Sequence, residues 1–256
     1  MCLRQLNFCT KSSLAKLILR FLQAMTAKKL ALIGYGKMGK LVEKLAPDFG
    51  FETCCRIQSD SKTSELTKER FLGAEVAIEF TTPEAAPGNL LKLAEFKVST
   101  VCGTTGWFYR LPEVRAAFEK SNTALIYGSN FSIGVNIFDR IIHQAASLFS
   151  KYPAYSSWAW EAHHLQKKDA PSGTLLKLVD SMKKAGFQDD INISATRAGF
   201  ITGTHEIGFD SLEDTITLRH TAKSREGFAK GALLAADIAL KRKGIFEFSE
   251  VLFDEQ

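Results

Sequence analysis

The 256-residue chain has no apolar run of the roughly 20 residues that a bilayer-spanning helix needs, which argues against membrane insertion. It has no HExxH metal motif, no internal repeat and no low-complexity linker, and no metal is expected. It has five cysteines, Cys2, Cys9, Cys54, Cys55 and Cys102, and no CxxC pair. An odd count without such a pair fits a reducing compartment rather than a disulfide framework. Cys54, Cys55 and Cys102 read as small buried strand residues. No basic stripe with interleaved aromatics is present, so nucleic acid is not an expected partner.

The net charge of +5 overstates the basicity of the chain. Residues 1–24 hold Arg4, Lys11, Lys16 and Arg20 and no acid, leaving 29 basic against 28 acidic residues in the remainder. Leu14, Leu17, Ile18, Phe21, Leu22 and Met25 recur at helical spacing, opposite Lys16, Arg20 and Gln23. Residues 1–27 therefore form an extension with two readings. A basic, acid-free amphipathic segment resembles a transit peptide and implies a plastid. The preferred reading is an upstream start, with Met25 opening a cytoplasmic protein.

What is present is a two-domain pattern. Residues 29–33 are a short apolar strand that runs into Gly34-x-Gly36-x-x-Gly39, followed by helical spacing at Leu41, Val42 and Leu45. Strand, glycine loop and helix are the context in which this motif binds a dinucleotide. Gly34 suits the tight turn, Gly36 a close approach of the pyrophosphate, and Gly39 helix-on-strand packing. Lys37 and Met38 lie in the same loop. Strands are expected at 53–57, 75–80, 98–102 and 123–127, with helices between them. That alternation predicts a Rossmann-like parallel, doubly wound sheet with ligands at the carboxyl ends of its strands. Phe80, Thr81, Gly103, Thr104 and Thr105 fall at those ends and are expected to contact the cofactor.

The ribose position is unusual. An NAD site places an acid roughly 20 residues beyond the glycines, and here Gln58 stands there. Gln58 bonds a ribose hydroxyl without repelling a 2′-phosphate, and Arg56 or Lys62 attracts one. The alternative is that Asp60 replaces the missing acid. NADPH is expected to serve at least as well as NADH.

Beyond Asn130 the pattern changes. A helix is expected at 134–149, a half-buried strand at 155–161, and a helix burying Leu175, Leu178, Val179 and Met182. Strand-like runs at 191–197, 204–209 and 215–221 predict an α+β domain with an open, mixed or largely antiparallel sheet. The domain boundaries read as 28–129 with 226–256 for the dinucleotide part, and 130–225 for the substrate part. A last helix near 225–241 is expected to pack on the first domain.

The stretch 161–174 carries the chemistry. It holds His163, His164 and Lys167 ahead of a helix start, with Asp169 as a candidate cap and Pro171 in the first turn. Gly173 and Thr174 then offer free first-turn N–H groups to an anion. Proton donors beside an anion cradle point to work on a carboxylate substrate.

Taken together, the glycine loop, Phe80-Thr-Thr-Pro83, Gly103-Thr-Thr105, Asn130 to Asn136, the 161–174 stretch and Ser224-Arg225 through Phe228 resemble the 4-hydroxy-tetrahydrodipicolinate (dihydrodipicolinate) reductases of the diaminopimelate route to lysine. The resemblance runs from Lys28 to the C-terminus. It implies an oxidoreductase using NADH or NADPH and acting on a small cyclic dicarboxylate. It implies His163 as acid/base, Lys167 as proton donor, and His164, Gly173 and Thr174 as the substrate-carboxylate site. It further implies Gly103 and Thr105 at the nicotinamide, Asn130 and Phe131 on the loop beside it, a homotetramer joined through substrate-domain sheets, and a site completed when the two domains close. Two departures bear on cofactor choice: a glycine loop one residue shorter than in some members, and Gln58.

Overall fold

Near-continuous apolar runs in the first half become strands buried on both faces, as a parallel sheet with helices on each side requires. The computed structural model describes residues 27–58, 66–71, 73–187 and 190–254. The expectations for residues 1–26, Asp60 and Lys62 lie outside these.

The first unit runs to Tyr127 and includes Ala232–Phe246. In chain order it contains β1 (Lys28–Ile33), α1 (Lys37–Leu45), β2 (Phe51–Ile57), β3 (Val76–Glu79), α2 (Ala86–Glu95), β4 (Ser99–Cys102), α3 (Leu111–Ser121) and β5 (Ala124–Tyr127). β2, β1, β3, β4 and β5 are neighbours in that order, and all are parallel. Leu30, Val76, Ile78, Val101 and Leu125 are fully buried in this sheet. The register of β1 on β2 slips between Leu30 and Ala31, whose partners are Thr53 and Cys55. Cys54 is the extra residue of this bulge and is exposed, whereas Cys55 and Cys102 are buried as expected.

The second unit spans Gly128–Gly231 and resumes at Glu247. It holds α4 (Ile133–Phe149), β6 (Ser156–His163), α5 (Gly173–Lys184), β7 (Asn192–Arg197), β8 (Thr204–Asp210) and β9 (Thr215–Thr221). The sheet order is β7-β6-β8-β9. β6 runs parallel to β7, and the other two pairings are antiparallel. One face packs on α4 and α5 through Phe138, Ile142, Ala159, Leu175, Leu178, Ile207 and Phe209.

The C-terminal segment departs from the sequence expectation. Helix α6 (Glu226–Lys241) begins in the second unit and ends in the first, where Asp237 pairs with Lys28. A Cβ on Gly231 would lie 1.7 Å from the Phe131 carbonyl oxygen, so glycine permits this close passage. β10 (Gly244–Glu247) adds an unanticipated sixth strand beside β5. It is too short to show a period. The chain then returns: Phe248, opening α7 (Phe248–Val251), stacks on Phe131 at 4.7 Å, and Arg140 covers the Phe253 ring. Residues from Glu247 onward thus belong with the second unit, not the first. Among the described residues no helix is long and apolar enough to cross a membrane.

Candidate functional site

In the first unit the predicted residues gather at the carboxyl ends of β1, β3 and β4. Gly34 adopts φ +90°, and a Cβ there would strike the Phe80 carbonyl oxygen at 1.9 Å. A Cβ on Gly39 would meet the Gly34 carbonyl oxygen at 2.5 Å, so helix α1 packs directly on the turn. A Cβ on Gly36, by contrast, would meet nothing within 4 Å. Gly36 is the N-cap of α1 and provides no side-chain hydrogen bond to the first turn. An uncapped helix start with open space at Gly36 fits a dinucleotide pyrophosphate. The Phe80 ring lies over Gly103, where a Cβ would come within 1.9 Å of it.

The sequence reading did not single out Glu79. Its carboxyl group is fully buried at the end of β3 and takes hydrogen bonds from the Thr104 hydroxyl (2.6 Å), the Cys102 thiol (3.2 Å), the Thr81 hydroxyl and the Asn89 amide (3.4 Å). Thr104 Oγ1 also accepts the Thr81 N–H at 2.8 Å. Burial raises the Glu79 pKa against the opposing effect of these donors. Thr104 therefore turns inward, and Thr105 is the exposed member of the pair.

At the ribose position Gln58 is exposed, as is Arg56. Arg56 is already engaged: its Nε reaches Glu43 Oε1 at 2.6 Å and its Nη2 contacts the same oxygen. The Tyr35 hydroxyl also binds Glu43, and the guanidinium lies over the Tyr35 ring. Arg56 holds the Glu43 carboxyl below its ordinary range.

In the second unit the organising group is Glu161 on β6, fully buried. Oε1 accepts the Ser172 N–H (2.8 Å) and Arg197 Nη2 (2.7 Å), and Oε2 accepts the Ser172 hydroxyl. His163 Nδ1 and His205 Nε2 each stand 3.6 Å from Oε2. Burial favours a neutral carboxyl, but the Ser172 and Arg197 donors outweigh it and hold the Glu161 pKa low. Burial depresses the His163 pKa, with Glu161 opposing. Burial, and then the neighbouring His163, push His205 down to about 4.

The loop after β6 carries the other predicted groups. His164 is half-buried, and its Nδ1 is buried without a hydrogen-bond partner. The Lys167 ammonium pairs with Asp169 at 2.8 Å and holds that carboxyl low, with the Gly173 N–H adding to the effect. Arg197 also contacts the Asp169 carbonyl. The helix cap is Ser172, whose Oγ accepts the Leu175 N–H at 3.2 Å, rather than Asp169. Pro171, behind a cis peptide bond, precedes the helix rather than opening it. Ser172 is fixed as the cap by its burial against Glu161, which binds both its N–H and its hydroxyl. A Cβ on Gly173 would meet nothing within 4 Å, so there is open space beside the α5 N-terminus, where the Asp169 carboxylate faces the Gly173 N–H. Asn130 reaches Thr174 Oγ1 at 3.3 Å, whereas the Phe131 side chain is buried.

Ligand atoms of Glu161, His163 and His205 lie within 4.8 Å of one another. The fixed Arg197 charge on the same carboxylate opposes a second cation there. The second unit thus unites an imidazole beside a buried anion, an ammonium four residues on, and a helix N-terminus with open space beside it. That set can deliver protons to a bound anion.

Residues 28–131 match the family described as dihydrodipicolinate reductase, N-terminus, and residues 134–252 the one described as dihydrodipicolinate reductase, C-terminus. The 4-hydroxy-tetrahydrodipicolinate reductase of Christiangramia forsetii is 36% identical over 236 residues, spanning 88% of this chain and 98% of that protein. The Staphylococcus carnosus protein of the same name is 34% identical, spanning 87% and 99%. A dipicolinate-bound dihydrodipicolinate reductase from Paenisporosarcina sp. TG-14 shares the fold, with a TM-score of 0.69 at 20% identity over 88% of this chain and 99% of that one.

Proposed function

The chain belongs to the dihydrodipicolinate reductase family, and on that premise we propose that it reduces 4-hydroxy-tetrahydrodipicolinate to tetrahydrodipicolinate in the diaminopimelate route to lysine. The observation that carries the reading is the join, through Glu161 and Ser172, of His163 to the α5 N-terminus. A bound NADH or NADPH supplies the hydride. Gly36, Lys37, Met38 and the uncapped start of α1 would hold its pyrophosphate, and Gly103 and Thr105 would face its nicotinamide; the family resemblance assigns Asn130 and Phe131 to the same cofactor. His164 and the Gly173 and Thr174 amides fix a substrate carboxylate. Lys167 donates a proton as the substrate hydroxyl departs as water, while the adjacent ring carbon loses its proton to solvent and the C–H electron pair forms the new double bond. Hydride addition to the resulting unsaturated imine places an electron pair on the ring, and His163 donates the proton that quenches it. The test is cofactor oxidation on substrate freshly made by dihydrodipicolinate synthase. Absence of turnover with cofactor binding intact removes the reading.

The Arg56 geometry supports a reading of cofactor choice. Gln58 does not repel a 2′-phosphate, and Glu43 already neutralises Arg56, so neither cofactor is strongly excluded. NADPH serves at least as well as NADH. A kcat/KM favouring NADH by tenfold or more contradicts this.

Assembly is the remaining element. The face of the second sheet away from α4 and α5 presents Trp158 packed over Gly208, and Trp160 bonded to Thr196 beneath Arg219. Two half-exposed tryptophans on an open sheet face suit a subunit contact, and the proposed assembly is a homotetramer joined there. Light scattering on the intact chain and on Trp160→Glu tests it. The proposed compartment is the cytoplasm, in keeping with free cysteines at 54, 55 and 102.

A further inference from the structure

We propose that Glu161 is the positioning residue of the proton donor, its buried carboxylate facing the His163 ring so as to favour the protonated imidazole and tying that ring to the cap of the substrate-binding helix. The inference rests on the reading of His163 as the acid, and the experiment below separates the two.

The two carboxylate oxygens do different work. Oε1 is saturated by the Ser172 N–H and Arg197. Oε2 accepts the Ser172 hydroxyl and faces two imidazole nitrogens at 3.6 Å. His163 Nδ1 has no hydrogen-bond partner, so a proton on it has one nearby anion to face. A buried imidazole otherwise sheds its proton, because burial disfavours the charged form. Of the two rings, His205 is pushed down to about 4, while His163 is lowered by burial with Glu161 as the foremost opposing influence.

The groups facing His163 come from every element around it. Glu161 lies on its own strand, Arg197 on β7 and His205 on β8, with Lys167 and Asp169 on the following loop. His220 on β9 stands behind His205. Glu161 and Asp169 favour the protonated ring, while Lys167 and Arg197 oppose it. Glu161 and Arg197 together carry no net charge, so the buried anion does not repel a dicarboxylate. The Ser172 bonds make the same carboxylate fix the N-cap of α5, so the proton donor and the anion site keep a constant spacing.

The test is an NMR titration of the His163 imidazole in the full chain, for the unmodified protein and Glu161→Gln. The amide keeps the shape and an acceptor for Ser172 but removes the charge. The His163 pKa is expected to fall by about one unit or more. Simple loosening of the site would expose the ring and raise its pKa toward 6.5, so the sign separates a charge effect from a structural one. A His163 pKa in Glu161→Gln at or above that of the unmodified protein overturns the proposal. If the variant does not fold, the ¹³C-labelled Glu161 carboxyl of the unmodified protein decides instead. It must stay ionised throughout the range in which His163 titrates, and protonation in step with His163 overturns the proposal. The pH profile of kcat tests the underlying reading: loss of activity with rising pH moves to lower pH in Glu161→Gln. If the His163 titration moves and that limb does not, the acid role of His163 falls and the effect of Glu161 stands.

Discussion

The Thr104 hydroxyl donates to the buried Glu79 carboxylate at 2.6 Å while accepting the Thr81 N–H at 2.8 Å. One side chain thereby fixes the spacing of the β3 and β4 ends, the two turns assigned to the cofactor. Replacing Glu79 with Ala takes the acceptor from four donors, of which the Thr104 and Thr81 hydroxyls lose their hydrogen bond outright, and is expected to cost at least about 2 kcal/mol of stability, since each unmade buried hydrogen bond costs about 1–3. Urea unfolding measures this. In the surviving folded protein the cofactor Kd rises, by calorimetry. An unchanged Kd refutes the link between Glu79 and the cofactor turns.

Cofactor preference is expected to turn on Glu43, which neutralises Arg56. Glu43→Gln frees the guanidinium and is expected to raise the NADPH:NADH ratio of kcat/KM, by roughly tenfold for one added charged hydrogen bond. Steady-state kinetics with both cofactors reads the ratio directly. A ratio unmoved by the substitution places Arg56 away from the 2′-phosphate.

His205 gives the fold a pH dependence of defined sign. Its folded pKa of about 4 lies below the ordinary 6.5, so the unfolded chain binds the proton more tightly. The stability conferred by keeping this ring neutral is fully present above pH 6.5 and is lost as pH falls toward 4. The full loss is about 3 kcal/mol, at 1.36 kcal/mol per pKa unit. His205→Gln should flatten the slope of stability against pH between 6.5 and 4. An identical slope in both proteins contradicts the assignment.

Much of the site was legible in the sequence, for physical reasons that also mark where reading fails. Gly34 and Gly39 declare themselves because a backbone turn and a close approach demand glycine there, and Gly36 by its place between them in the motif. The second sheet was legible from its alternation. Glu79 and Glu161 were not singled out, because a carboxylate in a strand becomes informative only when folding buries it. Their partners come from distant positions, Thr104 for one and Arg197 and His205 for the other. β10 escaped for want of length, and the return of the chain at Phe248 because an aromatic stack on Phe131 leaves no local pattern.

Lys167 is expected to govern chemistry rather than binding. Lys167→Ala should lower kcat by roughly 10²–10⁴-fold, the range for loss of a positioned proton donor. Cofactor affinity, followed by nicotinamide fluorescence, should hold. Near-normal kcat discards the assignment and leaves Lys167 as the partner of Asp169 alone.

The most direct test of the account is the oxidation of NADPH, followed at 340 nm, on the fresh product of dihydrodipicolinate synthase. The intact chain should consume one cofactor per substrate, and His163→Gln should lose most of that rate while still binding NADPH. A chain that binds cofactor and leaves this substrate untouched would contradict the account.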